Sequence, residues 1–254
     1  MTWRNDSGLD GRSVVVTGAS GSIGREVGLA MAEAGAHVVG VDVPGSTVRD
    51  VVDGLPGGPH AGIEADLLDL TAHAGLFSQA RQIAPLAALA HLAAVLRRRD
   101  TVDDVTEDDW DTQIDVNLKA TFFLNRTAWH AFREQGTGGV IVNFTSQGWW
   151  TGGFGGSVVY AASKGGVVSL TRGLARSFAA DGVRVNAVSP GGVDTPMMHD
   201  GMTDDTMAGF LKMVPLGRLA RPDEMAGAVV YLASAASSYV TGTVLNVSGG
   251  QLMY

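Results

Sequence analysis

Two hydrophobic patterns alternate along this 254-residue chain. Short apolar or β-branched runs, typical of buried strands, are separated by segments with apolar positions three and four residues apart, typical of amphipathic helices. Strands are predicted at 13–17, 37–41, 61–65, 86–92, 140–144, 183–188 and 243–247. Helices are predicted from the glycine turn to residue 34 and over 71–84, 106–135, 160–180, 203–214 and 222–233. This alternation predicts a parallel sheet covered on both faces.

No linker, internal repeat or shift in composition divides the chain. We therefore predict an α/β fold in which residues 1–254 form one domain, a Rossmann-type doubly wound parallel sheet of about seven strands. A small substrate lid is expected around residues 195–215, because apolar side chains there stand among polar ones. An ordinary packed helix is the alternative for that segment.

Composition and charge exclude several functional classes. The net charge of −8 argues against nucleic acid or an anionic membrane surface as a partner. The absence of cysteine excludes disulfides and cysteine-ligated metals, and the six histidines form no HExxH pair, so no metal site is predicted. The one basic cluster, Arg97 to Arg99, is followed at once by acidic residues and is interpreted as a solvated loop.

The chain contains no sign of membrane insertion or export. No apolar run approaches the roughly 18 residues of a membrane-spanning helix. Residues 1–10 are polar and lack the apolar core of a signal peptide. A cytoplasmic location is therefore expected.

A glycine-rich turn lies between the first strand and the first helix, from Gly18 to Gly24. Glycines let such a turn tighten and let the backbone approach a pyrophosphate, which the helix N-terminus attracts. Asp42 ends the second strand about twenty residues further on, where a carboxylate binds the ribose hydroxyls of a dinucleotide. Because a carboxylate there repels a 2′-phosphate, NAD(H) is favoured over NADP(H). A strand-end Asp that serves only in a turn is the alternative.

Tyr160 and Lys164 stand four residues apart and share one helix face. A nearby ammonium group lowers the pKa of a phenol, which can then give or take a proton near neutral pH. Ser146 follows the fifth strand, at the edge where open α/β sheets place their chemistry. Each feature is common when taken alone, so an ordinary helix and a polar strand end are the alternatives.

The glycine-rich loop over residues 147–157 contains bulky aromatic side chains. Gln147, Trp149 and Trp150 are predicted to shape a substrate pocket together with Ser146 and Tyr160, which suggests an apolar or ring-bearing substrate. Packing of this loop against a neighbouring subunit is equally compatible with the pattern.

Taken in order, these segments resemble the compact branch of the short-chain dehydrogenase/reductase family over nearly the whole chain. The segments are TGASGSIG at 17–24, Asp66-Leu67, NL within 115–119, IVNFTS at 141–146, YAASK at 160–164, NAVSPGGVDTPM at 186–197 and the final SGG. The resemblance implies an oxidoreductase that moves a hydride between NAD(H) and a secondary alcohol or ketone. It also implies a homotetramer or a dimer.

The resemblance also implies roles for individual residues. Tyr160 would be the general acid/base, and Lys164 would lower the Tyr160 pKa and hold the nicotinamide ribose. Ser146 would hydrogen-bond the substrate oxygen, and Asn117 would anchor a water in a proton relay. The implied cofactor-binding residues are Gly18, Ser20, Gly21, Ser22, Ile23, Gly24, Asp42, Asp66, Leu67, Ala93, Tyr160, Lys164, Pro190, Gly191, Val193 and Thr195.

The chain departs from the family pattern in two main places. Gly21 and Ser22 stand in the reverse of the usual order, and His91-Leu92-Ala93-Ala94 replaces the common NNAG. The second change puts in doubt the usual bracing of the middle of the sheet, and His91 is expected to be a satisfied strand-end histidine, not a second base. Both variants are similar to nucleotide-sugar epimerases and dehydratases, which are one alternative function. A non-catalytic NAD-binding regulator is the other.

Overall fold

A computed structural model, which describes residues 7–153 and 155–254, contains one seven-stranded sheet in that part of the chain. The strands are β1 (Ser13–Thr17), β2 (His37–Asp42), β3 (Ala61–Glu64), β4 (Leu86–His91), β5 (Gly139–Phe144), β6 (Val183–Pro190) and β7 (Val244–Val247). All of them run parallel, in the order β3-β2-β1-β4-β5-β6-β7. Residues 1–6 of the polar N-terminus and Phe154 of the glycine-rich loop lie outside the described residues.

Helices cover both faces of this sheet. In the described part of the chain they are α1 (Ser22–Glu33), α2 (Val48–Asp53), α3 (His73–Ile83), α4 (Glu107–Ile114), α5 (Ala120–Gln135), α6 (Gly148–Thr151), α7 (Val158–Phe178), α8 (Pro196–His199), α9 (Asp204–Lys212) and α10 (Asp223–Ala233). A π-helical turn, Asp115–Lys119, joins α4 to α5.

Two hydrophobic cores lie on opposite faces of the sheet. On one face, α1 and α10 pack side chains such as Met31 and Leu232 against the strands. On the other face, α3, α5 and α7 contribute Phe77, Phe132 and Phe178. Because each central strand is buried on both sides, its sequence is a continuous apolar run without alternation. The predicted doubly wound fold is therefore confirmed.

The topology creates a crevice at one edge of the sheet. From β1 the chain builds outward to β3, and it then returns to place β4 on the other side of β1. The connections after β1 and β4 therefore diverge at the carboxyl ends of these two strands, which is where open α/β sheets bind their ligands. The glycine turn follows β1, and His91 ends β4 at the same edge.

Several local features differ from the predicted elements. The helix predicted over 106–135 is interrupted by the π-helical turn, where the Thr121 hydroxyl donates to the Asn117 carbonyl oxygen at 2.7 Å. Helix α2 was not predicted, because a six-residue helix with only Val48 and Val52 buried is too short to show a period. The loop after β5 contains the short helix α6, and β6 extends through Pro190.

A pair of buried amides links α5 to β5. Asn125 and Asn143 are fully buried, and the side-chain amide of each donates to the carbonyl oxygen of the other at 3.0 Å. The second amide hydrogen of each is also used, by the Thr121 carbonyl oxygen and the Thr171 hydroxyl. A buried amide pair with all of its hydrogen bonds made stabilises the fold modestly, but either amide is costly to bury without its partner.

Asn125→Leu is expected to lower the free energy of unfolding by about 2–3 kcal/mol, because it leaves the Asn143 carbonyl oxygen buried without a donor. The double variant Asn125→Leu/Asn143→Leu is expected to be less destabilised than the sum of the two single variants, since neither partner is then orphaned. Urea denaturation at one protein concentration measures all three. If the double variant loses as much free energy of unfolding as the two single variants together, the pairing is contradicted.

Candidate active site

A cavity of about 1100 Å³ opens at the carboxyl edge of the sheet. It runs from the glycine turn after β1, past the ends of β4, β5 and β6, to helix α9. It brings together most of the residues that the sequence assigns to a site. These are Gly18, Ser20, Gly21, Ser22, Ile23, Gly24, Asp42, Ala93, Ser146, Gln147, Tyr160, Lys164, Pro190, Gly191, Val193 and Thr195.

The glycine turn forms one end of the cavity. Gly18 has a φ of +66°, and a side chain there would lie 2.9 Å from the Ala93 backbone nitrogen. A Cβ on Gly24 would lie 2.0 Å from the Gly18 carbonyl oxygen, so the close approach of α1 to the turn requires glycine. Gly21 has an ordinary φ of −69°, and the reversed order of Gly21 and Ser22 leaves the turn intact. A pyrophosphate fits this open backbone at the start of α1.

Asp42 lies beside this turn with both carboxylate oxygens held. One oxygen accepts from the Ser20 backbone nitrogen at 2.9 Å and from the Ser20 hydroxyl at 2.5 Å. The other accepts from the Val43 nitrogen at 2.9 Å. The carboxylate is therefore fixed in orientation on the cavity wall, as binding of ribose hydroxyls requires.

Helix α7 places Tyr160 and Lys164 at the middle of the cavity. The Lys164 ammonium group is buried, donates to the Phe144 carbonyl oxygen at 3.0 Å and lies 5.6 Å from the centre of the Tyr160 ring. Burial lowers the pKa of Lys164 to about 8. Lys164 can therefore exchange a proton near neutral pH.

Burial also raises the pKa of Tyr160 to about 12, while the hydrogen bond of Ser146 and the charge of Arg98 act in the opposite direction. The Lys164 ammonium group is directed to a backbone carbonyl in this structure, and the cation that lowers the Tyr160 pKa is Arg98. Sequence spacing placed the lysine on the correct helix face but did not show which acceptor it contacts. The Tyr160 phenol is consequently protonated at neutral pH and able to donate.

Asn117 braces the cavity from behind. Its side chain is buried and forms two 2.8 Å hydrogen bonds with the backbone of Val95, and its amide also donates to Ser163 at 3.1 Å. It does not line the cavity, whereas its neighbour Val116 does. In this structure its side chain holds the chain after β4 against α7.

His91 is held in a hydrogen-bonded chain below the cavity. The Thr121 hydroxyl gives its hydrogen to the Asn117 carbonyl oxygen, so it accepts from His91 Nε2 at 2.9 Å. His91 Nδ1 therefore accepts from the Thr17 hydroxyl at 2.7 Å. Burial lowers the pKa of His91 to about 3. The expectation that His91 is a satisfied strand-end histidine is confirmed.

Besides Asn117, four predicted site residues lie away from the cavity wall. Asp66 accepts from the nitrogen of Leu68, and the Leu67 carbonyl oxygen contacts His73. The other two are the tryptophans of α6, whose rings pack against the ring of Tyr254 at 5.2 and 5.6 Å. The indole of Trp149 also donates to Ser189 at 3.3 Å. None of Asp66, Leu67, Trp149 and Trp150 is among the cavity-lining residues.

The basic cluster after β4 lies in a loop, as predicted, but its three arginines have different environments. Arg99 forms a two-pronged ion pair with the buried Asp109 at 2.7 and 2.8 Å, and Arg98 lines the cavity. Only Arg97 has an exposed side chain outside the cavity. The local sequence, three adjacent arginines, contains no pattern that distinguishes these environments.

The described residues contain no group of three His, Asp or Glu side chains placed to share a metal ion. No helix in that part of the chain is both long and apolar enough to cross a bilayer.

Known proteins resemble this chain over nearly its full length. A family model described as "Enoyl-(Acyl carrier protein) reductase" matches residues 18–251. The chain is 33% identical over 252 residues to 2-dehydro-3-deoxy-D-gluconate 5-dehydrogenase of Dickeya dadantii, covering 98% of each. It is 35% identical over 250 residues to (3R)-3-hydroxyacyl-CoA dehydrogenase of Mus musculus, covering 94% of this chain and 95% of that one.

Solved structures agree with these relatives. One is a protein from Sinorhizobium meliloti 1021 that is described as a short-chain alcohol dehydrogenase. It matches with a TM-score of 0.87 at 33% identity, and the match covers 96% of this chain and 97% of the other. A protein from Agrobacterium tumefaciens, described as a 2-deoxy-D-gluconate 3-dehydrogenase with bound NADP, has a TM-score of 0.87 at 35% identity. That match covers 98% of this chain and 99% of the other.

These matches and the geometry lead to one conclusion. The fold, the order of the motifs and the dehydrogenase relatives all fit an enzyme that binds a nicotinamide cofactor and acts on CH–OH groups. The chain belongs to the short-chain dehydrogenase/reductase family.

Proposed function

We propose that this protein is an NAD(H)-dependent oxidoreductase in which Tyr160 transfers the proton between a secondary alcohol and its ketone. The observation that carries the proposal is the position of Tyr160, Ser146 and Lys164 in one cavity with the glycine turn and Asp42. The nicotinamide supplies or accepts the hydride when it is bound. The protein supplies orientation, exclusion of water and control of the proton.

The proton-handling roles follow from the environments of the side chains. The buried Tyr160 phenol, with its pKa of about 12, is protonated at neutral pH and can donate to a ketone oxygen. Ser146 hydrogen-bonds the same oxygen, and Lys164 exchanges protons with the phenol and binds the nicotinamide ribose. Asn117 acts through the Val95 and Ser163 contacts, which keep the loop after β4 and helix α7 together.

The preference for NAD over NADP rests on Asp42. Its fixed carboxylate has an acceptor site left on the oxygen that the Val43 nitrogen contacts, which can take a ribose hydroxyl, and its charge repels a 2′-phosphate. The related protein from Agrobacterium tumefaciens is described with bound NADP, so the relative activity with NAD and NADP is the quantity that tests this preference. Gly18 to Gly24, Ala93, Pro190, Gly191, Val193 and Thr195 would complete the cofactor site, since all of these positions line the cavity except Ala19.

The substrate is a small molecule with a secondary hydroxyl. The names of the relatives include sugar-acid and hydroxyacyl-CoA dehydrogenases. Helices α8 and α9 and the segment between them border the cavity with Met197, Phe210 and Met202, respectively, and would act as the lid. We further expect a cytoplasmic homotetramer or dimer, for which light scattering is the measurement and a monomer is the contradicting result.

Tyr160→Phe is expected to reduce kcat for alcohol oxidation by roughly 10³-fold, because it removes the hydroxyl that carries the proton and nothing else. The affinity for NAD should stay within about twofold of the wild-type value. Absorbance at 340 nm with a panel of secondary alcohols measures turnover. Tyr239→Phe is the matched control, because Tyr239 is fully exposed and lies outside the cavity. Wild-type turnover in Tyr160→Phe would refute the assignment.

Asp42→Ala is expected to shift the ratio of kcat/KM for NAD over NADP by at least about tenfold toward NADP, since both the ribose acceptors and the repulsive charge are removed. Asp53→Ala removes an exposed carboxylate at the end of α2 and should leave the ratio unchanged. If the ratio is the same in Asp42→Ala and wild type, Asp42 does not select the cofactor.

Lys164→Met is expected to abolish turnover and yet raise the free energy of unfolding at pH 7 by about 2 kcal/mol, because burial of the cation is unfavourable. The folded-state pKa of about 8 lies below the ordinary value of 10.5, so wild-type stability rises as pH increases between these values. The advantage of Lys164→Met should therefore disappear above about pH 10. Lys212→Met, at an exposed position in α9, is the control for urea denaturation. If the free energy of unfolding of Lys164→Met is lower than that of the wild type by the same amount at pH 7 and at pH 10, this prediction is contradicted.

A further inference from the structure

Arg98 occupies a part of the cavity that the sequence did not assign to a site. It follows β4, and its half-buried side chain lines the cavity. One of its terminal nitrogens, Nη1, donates to the carbonyl oxygens of Met198 and Asp200, in and just after α8. A Cβ added to Gly201 would lie 3.3 Å from the Arg98 Cδ, so the side chain runs along the lid.

The charge of Arg98 is not balanced by a carboxylate. No Asp or Glu among the described residues lies within ion-pair distance of it, and its Nε and Nη2 donate no hydrogen bond to any described atom. Uncharged carbonyl oxygens are its partners. A guanidinium group with Nε and one terminal nitrogen available presents the two parallel donors that match a carboxylate.

The other two cations of the cavity wall are already engaged. Arg99 is neutralised by its two-pronged ion pair with Asp109, which is 1% exposed. Lys164 donates to the Phe144 carbonyl oxygen and belongs to the proton-handling group. Arg98 is therefore the cation of the described cavity wall that can meet an anion.

Arg98 shares the cavity with Tyr160. Its charge is one of the influences that oppose the effect of burial on the pKa of Tyr160. The cavity wall also holds Asp42, whose oxygens are bound at the dinucleotide end, and Asp100, which is exposed. In a protein with a net charge of −8, an anionic substrate requires a local cation of this kind.

We infer that the substrate is a hydroxy acid or the corresponding keto acid, whose carboxylate Arg98 binds while its secondary hydroxyl meets Tyr160. The inference rests on the proposed function and adds the substrate class to it. The carboxylate is unchanged in the reaction: the carbinol carbon loses a hydride to the nicotinamide cofactor and the hydroxyl loses a proton to the site. Arg98 thereby selects substrates without taking part in bond breaking.

The test compares acids with neutral counterparts of nearly the same shape. The pairs are D-gluconate with D-glucitol, and 3-hydroxybutyrate with its methyl ester. The wild-type enzyme is expected to prefer the acid of at least one pair by roughly 100-fold in kcat/KM, and Arg98→Gln is expected to lose that preference. Arg98→Gln also removes a charge that lowers the Tyr160 pKa, so turnover of both members of a pair is expected to change by a common factor, and the preference is read from the ratio of their kcat/KM values. Arg97→Gln, the exposed neighbour outside the cavity, is the matched control and should keep the preference.

Calorimetric titration with the same four compounds gives a readout that needs no turnover. Binding of an acid to the wild type and to Arg97→Gln, but not to Arg98→Gln, supports the inference. The inference is overturned if Arg98→Gln loses affinity for acids and for neutral compounds equally. It is also overturned if the wild type binds no acid. If neutral alcohols are oxidised without any preference for acids, the inference fails and the proposed function stands. If no alcohol reduces NAD or NADP, the proposed function itself fails.

Discussion

The site depends on one contact, the hydrogen bond from the Lys164 ammonium group to the carbonyl oxygen of Phe144. It joins the helix that carries Tyr160 to Phe144, the last residue of β5, two residues before Ser146. A buried cation is unfavourable unless a group receives its hydrogen bonds, so this contact also fixes the first turns of α7. The phenol and the serine hydroxyl are positioned relative to each other by the same contact.

A second set of buried polar groups supports this contact from behind. The chain of hydrogen bonds from Thr17 through His91 and Thr121 reaches the carbonyl oxygen of Asn117. The Asn117 side chain then connects the segment after β4 to α7. The replacement of NNAG by His91-Leu92-Ala93-Ala94 therefore leaves the middle of the sheet braced, with an imidazole in place of the usual amide. The network determines the tautomer of His91, because each hydroxyl in it has one hydrogen to give.

The sequence predicted the parts of the molecule that depend on backbone pattern. Continuous apolar runs gave the strands, and the glycine turn and Asp42 located the dinucleotide end because their backbone geometry allows few alternatives. Side-chain direction was less predictable. The rings of Trp149 and Trp150 turn toward Tyr254, which lies about a hundred residues further along the chain. The separate environments of Arg98 and Arg99 likewise depend on partners at Asp200 and Asp109 that no local pattern indicates.

A crystal structure with NAD and a bound alcohol tests the central claim most directly. The account predicts the Tyr160 hydroxyl within about 2.6–3.2 Å of the alcohol oxygen, with the carbinol carbon facing the nicotinamide. It also predicts that the ribose hydroxyls of the adenosine half contact Asp42. A nicotinamide bound away from Tyr160, with another side chain at the alcohol oxygen, would contradict it.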